Sequence, residues 1–198
     1  MKKSKDGDEL LMNKPIIKER QSAVVRAFAF VACTLSLASF AHSLSAQEVA
    51  YPDEFATPIP LMGEILGDFH FPISSDSALA QNFFDQGIQM MYAFAKLESA
   101  RSFREAQVAD PNCAICFWGE AWSWGSYLNG AMTTADAPRA LAALKKALAL
   151  IDSANEKEAD LIRSLESRYI DNYDPEKRRI QDQAYADTMA GLSRKYPN

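Results

Sequence analysis

The chain is short of the residues that carry common chemistries: its 198 residues include two histidines, eight glycines and three cysteines. No glycine-rich phosphate loop, nucleophile elbow or paired-carboxylate helix motif is present, so phosphoryl transfer and nucleophilic hydrolysis have no sequence support. No stretch alternates polar and apolar residues with a period of two, which argues against a sheet. Positive charge is also scarce: 21 Lys and Arg stand against 26 Asp and Glu, a net charge of −5. Nucleic-acid binding needs clustered Lys and Arg, and an anionic membrane surface attracts basic segments, so both partner classes are disfavoured.

What is present begins with an export-type leader. Lys14, Lys18, Arg20 and Arg26 precede an apolar run from Ala27 to Ala41, of signal length and short for a bilayer span. Ser43, Ser45 and Ala46 then offer a cleavage site, so residues 1–46 read as a signal peptide, with residues 1–20 including an unused upstream start. An uncleaved inner-membrane anchor and lipid attachment at Cys33 are the alternatives. Cleavage removes seven basic and four acidic residues and leaves 14 against 22, a net charge of −8. The expected location is periplasmic or otherwise exported. Residues 47–75, with Pro52, Pro58, Pro60 and Pro72, read as an extended leader.

The remainder, 76–198, is expected to be all-α, with helices near 76–93, 96–109, 113–128, 136–152, 155–171 and 175–195. Asp76, Asn112 and the Asp174-Pro175 pair are the expected helix starters. Within this domain Phe83, Gly87, Ser99, Phe103, Ala106 and Pro111 follow the spacing of a tetratricopeptide repeat, two antiparallel helices in about 34 residues. Gly87 admits a close second helix. Ser99, Phe103 and Ala106 share one helix face, and Pro111 ends it. A second copy reads Phe117, Ala121 and Trp124, then Ala140, Leu144 and Ala147. It is longer by seven residues, which fall in the loop 129–138. A weaker third copy keeps Met189, Leu192 and Pro197. About three stacked hairpins are therefore expected, and an ordinary helical bundle is the alternative.

Cys113 and Cys116 are the most reactive-looking pair, one turn apart at a helix start. In an exported chain the default is a disulfide. A redox role, a zinc site completed by His70 and carboxylates, and buried reduced thiols are the alternatives. Phe117 replaces the histidine that a c-type haem would need. Trp118 and Trp122 share a face, Trp124 lies on another with Phe117, and Glu120 lies between. One face fills the core. The other, with Tyr127 and Asn129, is a candidate ligand surface. His70 is a lone histidine in the leader, and Lys177, Arg178 and Arg179 read as a solvated helix face.

The stretches Phe71-Pro-Ile-Ser-Ser, Ala80-Gln-Asn-Phe-Phe-Asp-Gln-Gly, Glu98-Ser-Ala-Arg-Ser-Phe-Arg-Glu-Ala and Asp110-Pro-Asn-Cys-Ala-Ile-Cys-Phe-Trp-Gly-Glu-Ala resemble a bacterial family of exported tetratricopeptide-repeat proteins. The resemblance runs from about His70 to Pro197. It implies a helical repeat that binds protein and has no settled enzymatic activity. Relatives are usually longer, so an N-terminal piece of a longer member is expected, and docking onto its own missing C-terminal part is a further alternative to an outside partner. The chain departs from the pattern at Ala95-Lys96, where relatives often have Asn-His, and at Tyr127-Leu128, where they often have Pro-Asn. A site built on those polar residues is in doubt here. The function expected is an exported scaffold binding a protein or peptide, with no catalytic residue, metal or cofactor. The alternative is a thiol-redox or metal-binding protein centred on Cys113 and Cys116.

Overall fold

A computed structural model describes residues 49–197, and the signal segment expected at 1–46 lies outside them. Six α-helices follow one another: α1 (Ala78–Tyr92), α2 (Lys96–Ala109), α3 (Ala114–Trp124), α4 (Ala137–Ala149), α5 (Glu156–Ser164) and α6 (Arg179–Lys195). Among the described residues there is no strand, only an isolated bridge between Tyr127 and Gly130. Among them, too, no helix is long and apolar enough to cross a membrane.

Successive helices pack against each other, and side-chain pairs fix their direction. Gly87 meets Ser99, Gln86 meets Ser102 and Phe84 meets Phe103, so positions fall along α1 as they rise along α2. The same rule holds between α2 and α3, where Ser99 meets Ser123 and Gln107 meets Glu120. Both pairs therefore run antiparallel.

Phe103 is the hub. Its ring is fully buried, edge-on to Phe84 at 5.2 Å, and lies against two glycines from neighbouring helices. A Cβ on Gly87 would stand 2.8 Å from the ring, and one on Gly119 would collide with its Cδ1. Beside the ring, Ser99 Oγ lies 2.8 Å from the Gly87 carbonyl and 2.8 Å from Ser123 Oγ, which reaches the Gly119 carbonyl at 2.9 Å. Two hydroxyl protons are thus shared among three short contacts, which satisfies polar atoms that burial would otherwise penalise.

Several boundaries differ from the sequence-based expectation. α1 is capped by Ser77, whose hydroxyl accepts from the Ala80 amide, not by Asp76. Cys113, not Asn112, occupies the cap position of α3. α3 stops at Trp124 because Gly125 turns extended and Tyr127 closes a tight turn onto Gly130. Asp174 accepts from the Glu176 amide in a separate turn, so α6 begins at Arg179 rather than near 175. α5 starts as a capping box: Asn155 accepts from the Glu158 amide, and Glu158 accepts from that of Asn155.

Residues 49–75 hold only two short 3-10 turns, at Asp53–Ala56 and Gly63–Ile65. They lie against the helices, and helical side chains satisfy their backbone. Gln86 accepts from the Met62 amide at 2.7 Å and donates to the Pro60 carbonyl. Gln81 bridges the Phe71 carbonyl and the Ile73 amide, and Glu158 accepts from the Ser74 amide at 2.6 Å. Buried backbone without a ladder needs such partners.

Candidate functional site

The expected ligand residues divide into three places. Trp118 and Trp122 are one α-turn apart on α3, and their rings stack at 5.5 Å with a 12° interplanar angle. They line a groove of about 430 Å³. α1 contributes Ile88 and Tyr92, α5 contributes Lys157 and Leu161, and α6 contributes Tyr185 and Met189. Phe69 and Phe71 close it from the leader. Tyr92 stands edge-on to Trp122 at 6.0 Å, and Lys157 Nζ sits 5.1 Å from the Phe71 ring centre. Trp118 is buried, and its indole N–H has no acceptor among the described residues.

Trp124 and Glu120 belong to a different environment. Tyr51 and Phe55 of the leader cover Trp124, at 6.1 and 5.5 Å between ring centres. Glu120 is almost wholly buried, and Gln107 donates to it at 2.7 Å, Arg104 at 3.3 Å and the Trp124 indole at 3.4 Å. The Arg104 guanidinium lies 4.1 Å from the Tyr51 ring centre. Burial, with Glu120 nearby, pushes the Tyr51 hydroxyl well above the usual phenol range. Arg139 donates to the Ala50 carbonyl, and its guanidinium lies 5.1 Å from the Trp124 ring centre. This cluster is a closed clamp on the leader.

Tyr127 and Asn129 occupy the third place, the turn after α3. Tyr127 lies 6.2 Å from Phe94 and under Lys96 at 4.8 Å, while Asn129 is exposed. Burial lowers the Lys96 ammonium from its ordinary value, opposed by Asp136. Sequence periodicity separated Trp118 and Trp122 from Trp124, but it gave no sign that Phe69, Phe71, Tyr92 and Tyr185 join the groove. The aromatic spacing in Phe69 and Phe71 was the available signal.

His70 is tied down: its Nδ1 lies 2.8 Å from Asp85 Oδ2, and Asp85 Oδ1 accepts from the Phe71 amide and from Gln81. It anchors the leader beside the groove. A larger recess of about 770 Å³ is bounded by Ser74, Ser75, Asp76, Asp110 and Ser153. Several of its polar groups are already engaged, Ser75 with Asp110 and Ser153 with the Asn112 carbonyl. Burial pushes the Glu158 carboxyl up from its ordinary value, while the Ser74 and Asn155 hydrogen bonds oppose the shift.

Cys113 and Cys116 form a disulfide, with Cα atoms 5.4 Å apart. Both residues are fully buried. Thiol exchange needs an accessible sulfur, so this enclosure favours a structural bond that pins the start of α3. Alkylation after mild reductant in native buffer is expected to label neither residue, and labelling after unfolding in reductant is expected to reach both. Ready labelling of the folded chain would reinstate an exchange role. Replacing both by alanine is expected to cost about 2 kcal/mol, because the closed loop is very short.

No protein-family model, curated protein or solved structure matches the chain.

Proposed function

We propose that the chain is an exported helical-repeat scaffold of the tetratricopeptide type that binds a peptide or protein segment in the aromatic groove beside Trp122. The groove itself carries the reading. It offers stacked and edge-on aromatic faces and a rim cation in Lys157. Such walls suit an apolar or aromatic side chain.

Burial at equivalent positions supports the repeat. Ser99, Phe103 and Ala106 on α2 correspond to Ala140, Leu144 and Ala147 on α4, and all six are buried. Gly87 and Ala121 hold the matching small positions on α1 and α3, with Phe83 and Phe117 four residues before each. The third pair follows the pattern less closely: Met189 and Leu192 are only half-buried. The signal-like leader supports export, and the net charge of −8 expected after cleavage suits neutral or cationic partners.

The test is a peptide-display selection on the exported chain. Selected peptides are expected to share an aromatic or long aliphatic residue. Trp122→Ala is expected to weaken them by about 2 kcal/mol, the scale of an interface hot spot. Leu128→Ala, on the exposed turn after α3, is the control and should change nothing. Binding that is indifferent to Trp122→Ala would remove the groove from the function.

A further inference from the structure

α6 is held differently from the helices before it. Each of α1 to α5 places at least four residues in the interior, whereas α6 buries none. Ile180 near its start is 70% exposed. Its attachments are few and separable. The Arg168 guanidinium lies 4.4 Å from the Tyr185 ring centre. Lys195 Nζ reaches Glu156 at 2.7 Å and Asp160 at 2.6 Å, and the Tyr196 hydroxyl reaches Asp160 at 2.9 Å. Surface ion pairs of this kind contribute little, because water solvates both partners in the detached state. Yet Tyr185 and Met189, one turn apart on the same face, form a wall of the aromatic groove.

We infer that α6 is a displaceable helix, and that the surface beneath it docks a partner's basic amphipathic helix in its place. This rests on the groove reading above. The resident helix shows what fits: an aromatic residue, a long unbranched apolar residue four positions later, and a cation six positions beyond that, as in Tyr185, Met189 and Lys195. The aromatic and apolar residues face Trp118, Trp122 and Leu161 across the groove, and the cation meets Glu156 and Asp160, one turn apart on α5. Displacement leaves the core around Phe103 in place, because α6 adds no fully buried residue to it and packs only the partly buried Tyr185 against it. Elements with few buried contacts are the ones that open locally at low cost. Tethering gives the resident helix a high effective concentration, so an incoming helix competes well only when it fits better or the resident is weakened.

A dye-labelled peptide of residues 179–197 tests this in trans against the full chain. Wild type and the Tyr185→Ala/Met189→Ala/Lys195→Ala variant are compared. The variant is expected to bind the peptide about tenfold more tightly than wild type, because its tethered competitor is weakened. Adding Trp122→Ala should reverse the gain. Equal affinities, no binding to either chain, or a gain that survives Trp122→Ala overturns the inference. A swapped dimer that exchanges α6 between copies would make a second copy the occupant, and it too overturns the proposed partner. Hydrogen exchange on the unmodified chain gives an independent reading. α6 amides are expected to exchange about a hundredfold faster than those of α3, and equal protection contradicts displacement. If display-selected peptides bind in a Trp122-dependent way and the α6 peptide does not, the groove reading stands and displacement falls. If neither binds, both fall.

Discussion

Gly119→Ala is expected to destabilise the chain by about 3 kcal/mol, the upper range for forcing extra volume into a packed core. Alanine normally favours a helix over glycine by about 1 kcal/mol, so a loss here runs against intrinsic propensity. Steric conflict is the cause. The added methyl would occupy the space of the Phe103 ring, which is fully buried and held between Gly119, Gly87 and Phe84. The ring has no solvent-facing side to move toward. Gly87→Ala should be milder, since its Cβ would stand 2.8 Å from ring atoms. Thermal unfolding reads the effect as a fall of roughly 6–12 °C for a domain of this size. A smaller partner supplies the decisive control. Phe103→Ala removes the Cγ, Cδ1 and Cε1 atoms in conflict, so Gly119→Ala/Phe103→Ala should be no less stable than Phe103→Ala alone. Simple additivity of the two losses would show that Gly119 is not limited by this contact.

That contact also marks where the sequence stopped being readable. The helices themselves were legible, because apolar spacing and the breaks at Pro111 and around Asp110 are local signals. Gly87 stood out as the small position of a recurring pattern. Gly119 did not, because moving 34 residues from Gly87 lands on Ala121, and the need for glycine at 119 comes from a ring on another helix. Boundaries failed where one residue changed direction without a strong signature, as at Gly125 after α3 and in the turn before Arg179. The separation of Trp118 and Trp122 from Trp124 followed from helical periodicity alone. Which face remains open did not follow, because Tyr51 and Phe55 cover Trp124 from a segment about seventy residues upstream, and periodicity carries no information at that range. The roles of Gln81, Asp85 and Gln86 were hidden for a related reason. They satisfy leader backbone groups, and a backbone amide leaves no mark in the sequence.

The second large effect is expected at the leader clamp. Arg104→Met should cost about 3 kcal/mol, the lower end for stranding one member of a buried ion pair. The Glu120 side chain is 2% exposed and Arg104 39%, so the two partners are not equivalent. Removing the arginine leaves a carboxylate inside the protein with only the neutral donors Gln107 and Trp124. It also removes the cation from the faces of Tyr51 and Phe55, at 4.1 and 5.7 Å. Glu120→Gln keeps an acceptor for these donors while discarding the charge, so it should be much the milder change. The pair of substitutions decides between charge and packing. If the stranded charge dominates, Arg104→Met/Glu120→Gln should recover about 1.5 kcal/mol relative to Arg104→Met, as a urea-denaturation cycle would read it. If the stacking on Tyr51 dominates, the double variant should be no more stable than Arg104→Met, and Arg104→Lys should be nearly as damaging, because an ammonium lacks the flat face that stacks. Proteolysis localises the consequence. Cleavage within residues 51–62 should accelerate in Arg104→Met while α1 to α3 stay protected, since the clamp secures the leader and the Phe103 hub secures the helices.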